Sequence, residues 1–427
     1  MKSFVDRILP KSRLGRTVIV LASGTALSQI ITAASMPIVT RLYSPEMIGV
    51  ISVFLSFFNF WLVLLSCRYE SALLVTQSEE ESHHVFRLSA ALVLLNALLA
   101  VPILAWLSSS DLLGFGVLPE WSPFVAFICL LGYGWFMAYR SWLLRLQETR
   151  IISFSAISRS GANASTRVIM GMFNSGMYGL FLAEVLGSWF ALGAVRTKTK
   201  ALLKTASPPW RIDAVSKVAI KYNRFLRFEL PSVLINQLAV ALPVPLVGSL
   251  YGAEAAGWFG MARLLYAMPN GQIGKAVGDV FQMELGHSVR AGDTNRGRSL
   301  FYAFTIRLAL VGSIPLVLAV ALAPKLVPFI FGKDWAQMGD IVAQMAPWMF
   351  MALVVGSMSR ALSVLQLQQW KLLYDSFALL TVIVVYIAAE RYSLALPLFI
   401  EYLSFGLCIT YVLYFFIIRM AIERMAR

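Results

Sequence analysis

Long apolar runs separated by short polar segments dominate the sequence, and many of them exceed the roughly 18 residues needed to span hydrocarbon. This pattern predicts an all-α, polytopic membrane protein with twelve transmembrane helices. The predicted spans are residues 17–40, 47–67, 85–107, 122–144, 151–173, 177–196, 218–250, 255–283, 300–322, 341–365, 372–389 and 393–418. The seventh span is long enough to begin as a helix on the membrane surface.

One stretch of the chain occurs twice. Gln29–Gly49, QIITAASMPIVTRLYSPEMIG, returns 208 residues later as QLAVALPVPLVGSLYGAEAAG at Gln237–Gly257, with eight identities in 21 positions. Composition alone would give about two identities. Because the offset is close to half of the 427 residues, the chain is predicted to be an internal duplication.

The basic residues support this organisation. With both termini placed in the cytoplasm, 26 of the 36 Lys and Arg residues fall in cytoplasmic segments and four on the opposite side. Six spans per half is an even number, so both halves enter the membrane in the same direction and are related by a pseudo-twofold axis along its normal. The predicted segments are a cytoplasmic interfacial segment at 1–16, a six-helix lobe at 17–196, a basic cytoplasmic linker at 197–217, a second six-helix lobe at 218–418 and a cytoplasmic tail at 419–427.

Composition excludes several classes of protein. With 59% hydrophobic and 14% charged residues, the chain could not cover its apolar surface as a soluble protein. The net charge of +14 comes from loops beside apolar runs, which disfavours nucleic-acid binding. Three distant cysteines fit neither a disulfide framework nor a metal site. His83 and His84 fall in a predicted cytoplasmic loop and are expected to be solvated. No motif indicates a catalytic residue, a metal or a cofactor.

Six basic residues fall inside predicted spans, where a charge costs at least about 2.5 kcal/mol. Such residues normally face a water-filled cavity or a partner. Two of them, Arg307 and Arg360, lie about two turns from a span end, so reaching the interface is the alternative for them. The six are Arg159, Arg167, Arg263, Lys275, Arg307 and Arg360. The acidic residues in or near spans are Glu184, Glu229, Asp279, Glu284, Asp375 and Glu401.

The eighth span, GWFGMARLLYAMPNGQIGKAVGDVF, carries Arg263 deep within it. Met268–Gly271 is predicted to break or kink the helix, because proline removes an amide donor and clashes with the preceding turn. A broken span exposes groups that bind ligands, and Asn270 is predicted to line a cavity there. Lys275 and Asp279 are four residues apart and are predicted to pair, with a snorkelling pair at the cytoplasmic end as the alternative.

The fifth span carries a polar stripe, with Arg159, Asn163 and Arg167 four residues apart. This spacing predicts one cavity-lining face. The alternative is that Arg159 reaches the cytoplasmic interface and Arg167 the opposite one. Gln29 and Gln237 are the polar positions of the repeat within the membrane. They are expected to face each other across the cavity if the two repeats pack as a pair.

Several stretches, in their order along the chain, resemble the polysaccharide-unit flippases, the Wzx-type O-antigen and capsule translocases. These proteins form the polysaccharide transport branch of the multidrug/oligosaccharidyl-lipid/polysaccharide exporter superfamily. The resemblance covers nearly the whole chain. The stretches are SGTALSQIITAASMPIVTRLYSPEMIGV (23–50), CRYESALLV (67–75), YNRFLRFELPSVLINQL (222–238), AGWFGMARLLYAMPNGQIGKAVGDVFQ (256–282) and FGKDWAQMGDIVAQMAPWMFM (331–351).

The resemblance implies two six-helix lobes around a central cavity in the bacterial inner membrane. It implies movement of undecaprenyl-pyrophosphate-linked oligosaccharides from the cytoplasmic to the periplasmic leaflet by alternating access, for lipopolysaccharide O-antigen, exopolysaccharide or capsule synthesis. Arg263, with Arg159 and Arg167, would bind the pyrophosphate through paired guanidinium donors. Coupling to a proton or sodium gradient would use Asp279 or Glu229. Membrane lipids, a polysaccharide polymerase and a chain-length regulator are the further candidate partners.

Two other functions compete with this interpretation. A multidrug–cation antiporter of the same superfamily would need an acidic cavity, and the basic residues inside the spans argue against it. A membrane polysaccharide polymerase or ligase would need a substantial periplasmic loop, whereas no outside loop here exceeds about 20 residues. A lipid II flippase is a close relative, but the members of that group carry two more spans.

Overall fold

The computed structural model describes residues 13–202, 209 and 211–423, which are helical almost throughout and contain no strand. The predicted all-α class is therefore confirmed. Most of the predicted interfacial segment (1–12), the proline-containing part of the linker (203–208 and 210) and the last four residues of the tail (424–427) lie outside the described residues. In the first half, the helices are α1 (Arg13–Leu42), α2 (Pro45–Leu64), α3 (Tyr69–Ala72), α4 (Glu79–Ser109), α5 (Ser122–Arg145), α6 (Thr149–Met172) and α7 (Met177–Leu202).

The second half begins with a short helix that follows the linker. A π-helical turn, Phe225–Glu229, then leads into the first apolar helix of this half. The helices are α8 (Ile212–Lys221), α9 (Leu230–Ala241), α10 (Pro243–Arg290), α11 (Thr294–Phe331), α12 (Ala336–Gly356), α13 (Arg360–Val364), α14 (Gln368–Tyr392) and α15 (Leu396–Glu423).

Nine helical stretches of the described residues are long and apolar enough to cross a membrane. One of them, Phe225–Arg290, contains two predicted spans, which the backbone at Gly252 (φ 85°, ψ 173°) separates within α10. α1 and α6 are as long as the other spans but more polar. The structure is thus compatible with the twelve predicted spans of a polytopic membrane protein.

The two polar helices of the first half pack closely together. A Cβ atom at Gly24 of α1 would overlap the side chain of Ser153 on α6. The Ser153 hydroxyl donates a hydrogen bond to the carbonyl of Val20 at 2.8 Å. Small side chains therefore let α1 and α6 approach each other, as is common where membrane helices meet.

The described chain divides into two compact units. One contains Val53–Gln237 with the described residues before Ser44, and the other contains Ser44–Ser52 with the described residues from Leu238 onward. The predicted lobes, by contrast, end and begin at the 197–217 linker. The difference arises because the linker helix α8 packs on the first unit and because the first residues of α2 belong to the second unit.

The two copies of the repeat meet within the second unit. A Cβ at Gly49 would overlap the carbonyl of Ala253, and a Cβ at Gly257 would overlap the carbonyl of Pro45. Gly49 and Gly257 are equivalent positions of the repeat, and so are Pro45 and Ala253. The two contacts are therefore equivalent to each other. Both positions need glycine because backbone, rather than a movable side chain, occupies the space.

The repeated tyrosines make equivalent bonds as well. The Tyr43 hydroxyl donates to the carbonyl of Arg167 at 2.8 Å, and the Tyr251 hydroxyl donates to the carbonyl of Leu394 at 2.8 Å. In each copy, the tyrosine therefore ties the turn after the repeated helix to a later helix or turn of its own unit. The repeated residues thus serve the scaffold.

The amphipathic helix α8 docks on the first unit at the face predicted to be cytoplasmic. Val218 and Tyr222 pack in a core with Tyr69 and Trp142. The Tyr69 hydroxyl donates to the carbonyl of Ala219 at 2.9 Å. The linker helix is thus part of the first unit rather than a free tether.

Charged side chains add to this docking. Lys221 donates to Glu81, which raises the pKa of Lys221 above its ordinary value, and Arg87 donates to the carbonyl of Pro209 at 3.1 Å.

His83 and His84 lie in α4, the helix that also carries Glu81 and Arg87. Both are buried, and the His83 ring lies 4.7 Å from that of Trp142. The expectation of solvated histidines is wrong, because the acidic residues before them form the first turn of a helix capped by Ser78.

The glycine crossing yields a stability prediction. Gly257→Ala should destabilise the protein by about 1–3 kcal/mol, because the new methyl group would overlap the backbone carbonyl of Pro45. Gly271→Ala, in the same helix, has no atom within 4 Å of its new Cβ and should be neutral or stabilising by about 0.5–1 kcal/mol. Thermal unfolding of both purified variants in detergent measures the difference. Equal melting temperatures would contradict the crossing.

The docking of α8 is tested with two variants, one that places a charge on the buried face of the helix and one that places it on the exposed face. Val218→Asp should release α8, since it buries an unpaired carboxylate in the core with Tyr69 and Trp142. Ile220→Asp is the control, because Ile220 is 68% exposed. Hydrogen exchange over residues 212–221 should increase at least tenfold in the first variant alone. Similar protection in both variants would show that α8 is held in another way.

Candidate functional site

The polar stripe of the fifth span converges on one carboxylate. Glu184, on α7, is only 5% exposed and faces α6. Its Oε1 atom accepts hydrogen bonds from Asn163 Nδ2 and Arg167 Nη2, both at 2.7 Å. Its Oε2 atom lies 3.9 Å from Arg159 Nη2. The predicted cavity-lining residues Arg159, Asn163 and Arg167 are therefore brought together by an acidic residue of the next helix.

Tyr133 of α5 completes this group. The Arg159 guanidinium carbon lies 4.3 Å from the centroid of its ring, within cation–π distance. The aromatic face stabilises the cation that lies farther from Glu184. We refer to Tyr133, Arg159, Asn163, Arg167 and Glu184 as the arginine cluster.

The arginine cluster carries an excess of positive charge. Two guanidinium groups share one carboxylate, which leaves a formal charge of +1 among these side chains. Arg167 Nε is buried and has no hydrogen-bond acceptor among the described residues. Arg159 is one-third exposed. Because an unsatisfied buried donor is costly, the cluster has both the charge and the free donors to hold an anion.

In the second unit, Arg263 occupies a different environment. It lies within α10, is partly buried, and has no ion pair or hydrogen bond to any side chain among the described residues. No carboxylate of this part of the chain neutralises it. An unpaired guanidinium in a membrane-spanning helix is expected to face water or a ligand.

The helix carrying Arg263 is not broken at Pro269. α10 remains helical through Met268–Gly271, and its only non-helical backbone is at Gly252. The predicted break is therefore wrong, whereas the kink that was its alternative stays a prediction. Asn270 Nδ2 donates to the carbonyl of Met349 at 3.0 Å, and the Tyr266 hydroxyl donates to Val342 at 2.7 Å. These bonds hold α10 against α12, so the helix passes its proline without unwinding.

Asp279 has a different partner from the predicted one. Arg360 of α13 donates to Asp279 and, at 3.2 Å, to Gln282. Gly278 lies beside the Arg360 side chain, which reaches α10 over this small residue. Lys275 is exposed and forms no ion pair with Asp279. The predicted Lys275–Asp279 pair does not form, because the guanidinium of Arg360, on another helix, approaches the carboxylate with a fixed geometry.

Arg307 lies on an outward-facing side of α11. It shares that face with Leu310 and Ile314, which are 66% and 63% exposed. It is itself exposed and has no ion pair among the described residues. This position suits a side chain that reaches towards lipid headgroups, the alternative to a cavity-facing role.

Glu229 belongs to a second charged group in the first unit, near α8. Arg68 Nε donates to Glu229 Oε1 at 3.0 Å, and Arg68 Nη1 donates to Glu70 Oε1 at 3.2 Å. Glu229 ends the π-helical turn, while Arg68 has a left-handed φ of 66°. Glu70 is buried and also accepts from Ser66. One arginine thus holds two carboxylates, the reverse of the charge ratio in the arginine cluster.

Gln29 and Gln237 are both partly buried. Whether they face each other across a cavity stays a prediction.

Glu184 is the residue whose role the sequence did not reveal. It appears there only as one of six acidic residues in or near spans. Its signal is its place in α7, where Leu180, Ala191 and Val195 are fully buried, so a carboxylate on that side needs a cationic partner. The matching cations lie on the preceding span, two helical turns apart.

Comparisons with known proteins give the family. A family model described as "Polysaccharide biosynthesis protein" matches residues 38–340, more than half of the chain. The chain belongs to this family. The succinoglycan biosynthesis transport protein ExoT of Rhizobium meliloti (strain 1021) is 23% identical over 319 residues. That match covers 73% of this chain and 61% of the relative, so the chain spans less than two thirds of the relative's length.

Solved structures give the fold of this family member. The inward-facing conformation of a multidrug resistance MATE family transporter of the MOP superfamily matches with a TM-score of 0.70 at 14% identity, over 95% of this chain and 98% of that one. A MOP superfamily transporter from Pyrococcus furiosus matches with a TM-score of 0.57 at 13% identity, over 96% of each chain. The chain therefore has the fold of these transporters. Its predicted resemblance to the polysaccharide transport proteins is confirmed.

The arginine cluster predicts a measurable coupling. Arg167→Gln should destabilise the protein by about 3 kcal/mol, because Glu184 loses its closest cation while buried. Arg159→Gln should cost about 1 kcal/mol, since Arg159 lies farther from the carboxylate and is partly exposed. The double variant Arg167→Gln with Glu184→Gln should be more stable than the sum of the single changes requires. Additive effects in urea unfolding would show that the pair is not coupled.

Proposed function

We propose that this transporter is a flippase for lipid-linked oligosaccharides. It would move undecaprenyl-pyrophosphate-linked units from the cytoplasmic to the periplasmic leaflet of the bacterial inner membrane by alternating access, with both termini in the cytoplasm. The carried unit would serve lipopolysaccharide O-antigen, exopolysaccharide or capsule synthesis. The observation that carries this proposal is that arginines in predicted membrane spans, Arg263 and the arginine cluster, are not fully neutralised by the protein's own carboxylates.

The chemistry of the headgroup fits these cations. A pyrophosphate diester carries two negative charges and several acceptor oxygens, and guanidinium groups bind such oxygens through paired donors. Arg159 and Arg167 in the first unit, and Arg263 in the second, supply donors that the protein's own carboxylates do not neutralise. Asn163 would add a neutral donor. Lys275, Arg307 and Arg360 would attract the headgroup or surrounding lipid phosphates rather than define the site.

A gradient-coupled step would act on the carboxylates that arginines hold. Glu229 is held by Arg68, and Asp279 by Arg360. Protonation, or binding of a sodium ion, at either carboxylate would release its arginine. This would link ion binding to the ends of the helices that carry Glu229 and Asp279. A polysaccharide polymerase and a chain-length regulator would act on the delivered units.

The charge of the described spans disfavours the transport of cationic drugs. A drug antiporter requires a site that attracts cations, whereas Arg263 is unpaired and the arginine cluster is positive. One of the similar structures, from Pyrococcus furiosus, is itself described as having a binding pocket of reverse polarity and a different function. The polarity of the binding pocket thus differs among transporters of this fold.

The test removes Arg263 in cells that depend on this transporter for surface polysaccharide. Arg263→Ala should leave the protein folded in the membrane, since no carboxylate loses a partner, but should reduce surface polysaccharide at least tenfold. Lipid-linked units should then accumulate on the cytoplasmic face. Arg391→Ala is the control, because Arg391 is another arginine of the second unit with no ion pair among the described residues, but it is exposed and lies at the end of α14.

Three outcomes separate the functions. Normal polysaccharide with Arg263→Ala would remove Arg263 from the site. Accumulation of lipid-linked units on the outer face of a deletion strain would indicate a polymerase or ligase instead. Drug sensitivity of the deletion strain, with normal polysaccharide, would indicate a multidrug antiporter.

A further inference from the structure

The most constrained charge in the first unit is Glu184. It lies on the buried side of α7, between apolar residues, where it accepts two hydrogen bonds from α6 and forms an ion pair with a second arginine of that helix. Arg159 and Arg167 are eight residues apart on α6, which places their Cα atoms about 12 Å apart along the helix axis. Both side chains nevertheless lean towards the same carboxylate. Glu184 therefore draws two cations together that would otherwise repel each other.

The bonds to Glu184 leave the arginines incompletely satisfied. Arg167 uses one Nη2 atom on Glu184, while its Nε has no acceptor among the described residues. Arg159 lies at 3.9 Å, at the edge of an ion-pair distance. Neither guanidinium makes the two parallel bonds that this group forms with its best anionic partners. The carboxylate thus neutralises the pair only in part, and an anion with more oxygens could replace it.

We infer that Glu184 is the resident anion of the arginine cluster, which holds Arg159 and Arg167 in place between transport events and yields them to the phosphate groups of the substrate. This inference rests on the proposed function and adds a residue that sets affinity. Glu184 would keep the guanidinium groups preorganised, and its charge would weaken phosphate binding enough for release. If Glu184 served only to position the two arginines, removing its charge would instead weaken the binding of phosphate groups.

The experiment measures binding of inorganic pyrophosphate to the purified full-length protein in detergent by calorimetry. Glu184→Gln keeps the side chain's size and can still accept from Asn163, but it raises the formal charge of the cluster from +1 to +2. It should tighten pyrophosphate binding at least tenfold, because removing a charge about 6 Å from a single unit of ligand charge already gives about tenfold at an effective dielectric constant of about 40. In cells, surface polysaccharide should decrease, because release is slowed.

Two further variants make the result independent of the folding of Glu184→Gln. Arg159→Gln removes one of the two cations and lowers the formal charge of the cluster to zero, so it should weaken pyrophosphate binding at least tenfold. Glu184→Asp keeps the charge and should stay within about threefold of the unsubstituted protein. A merely structural role would not produce this graded order of affinity.

The outcomes distinguish this inference from the proposed function. Weaker or unchanged binding by folded Glu184→Gln, or unchanged binding by Arg159→Gln, would overturn the resident-anion role. Absence of pyrophosphate binding by the unsubstituted protein would also overturn it, whatever the transported substrate. If the graded order is found but surface polysaccharide does not depend on this gene, the resident anion stands and the proposed flippase function fails.

Discussion

A charge placed among apolar helices must find a partner, and this constraint shapes both units. α6 is too polar to qualify as a span by composition, yet it packs between α1 and α7 because polar side chains on it form hydrogen bonds to both neighbours. Ser153 bonds to α1, while Arg167 and Asn163 bond to Glu184 of α7. The first unit thus stabilises a helix that hydrocarbon alone would reject, and it does so with one carboxylate for two arginines. The remaining positive charge is a property of the fold itself.

The duplicated scaffold and the charges obey different rules. Gly49 and Gly257 cross with equivalent backbone contacts, and Tyr43 and Tyr251 make equivalent hydrogen bonds, so the repeat has kept its structural residues in both halves. Arg263, in contrast, aligns with Leu55 in the first half. Backbone geometry must be matched where two copies of one turn meet. Charge needs no such match, which lets the two units acquire different ligand chemistry on one scaffold.

The sequence predicted the helices well because their apolar runs are long and their flanks are charged. It also grouped Arg159, Asn163 and Arg167 correctly, since a spacing of four residues lies on one helical face. It failed where the outcome depended on contacts between helices. The spacing of four residues favoured Lys275 as the partner of Asp279. The actual partner is Arg360, on a helix about eighty residues later in the chain. Pro269 signals a break, yet the bonds of Tyr266 and Asn270 to α12 keep the helix continuous. No periodicity within one helix encodes such partners.

The pairing of arginines also separates two tasks that the proposed transport function requires. Arg68 and Arg360 are held by carboxylates near the ends of helices, where an ion pair fixes one element against another. Arg263 has no such partner, so an anion bound there gains the full attraction of its charge. The arginine cluster lies between these cases, because Glu184 offsets half of its charge. A carrier must release what it binds, and a site of wholly unpaired arginines in a low-dielectric interior would hold a pyrophosphate too tightly. A carboxylate built into the site lowers that affinity without removing the donors that recognise phosphate.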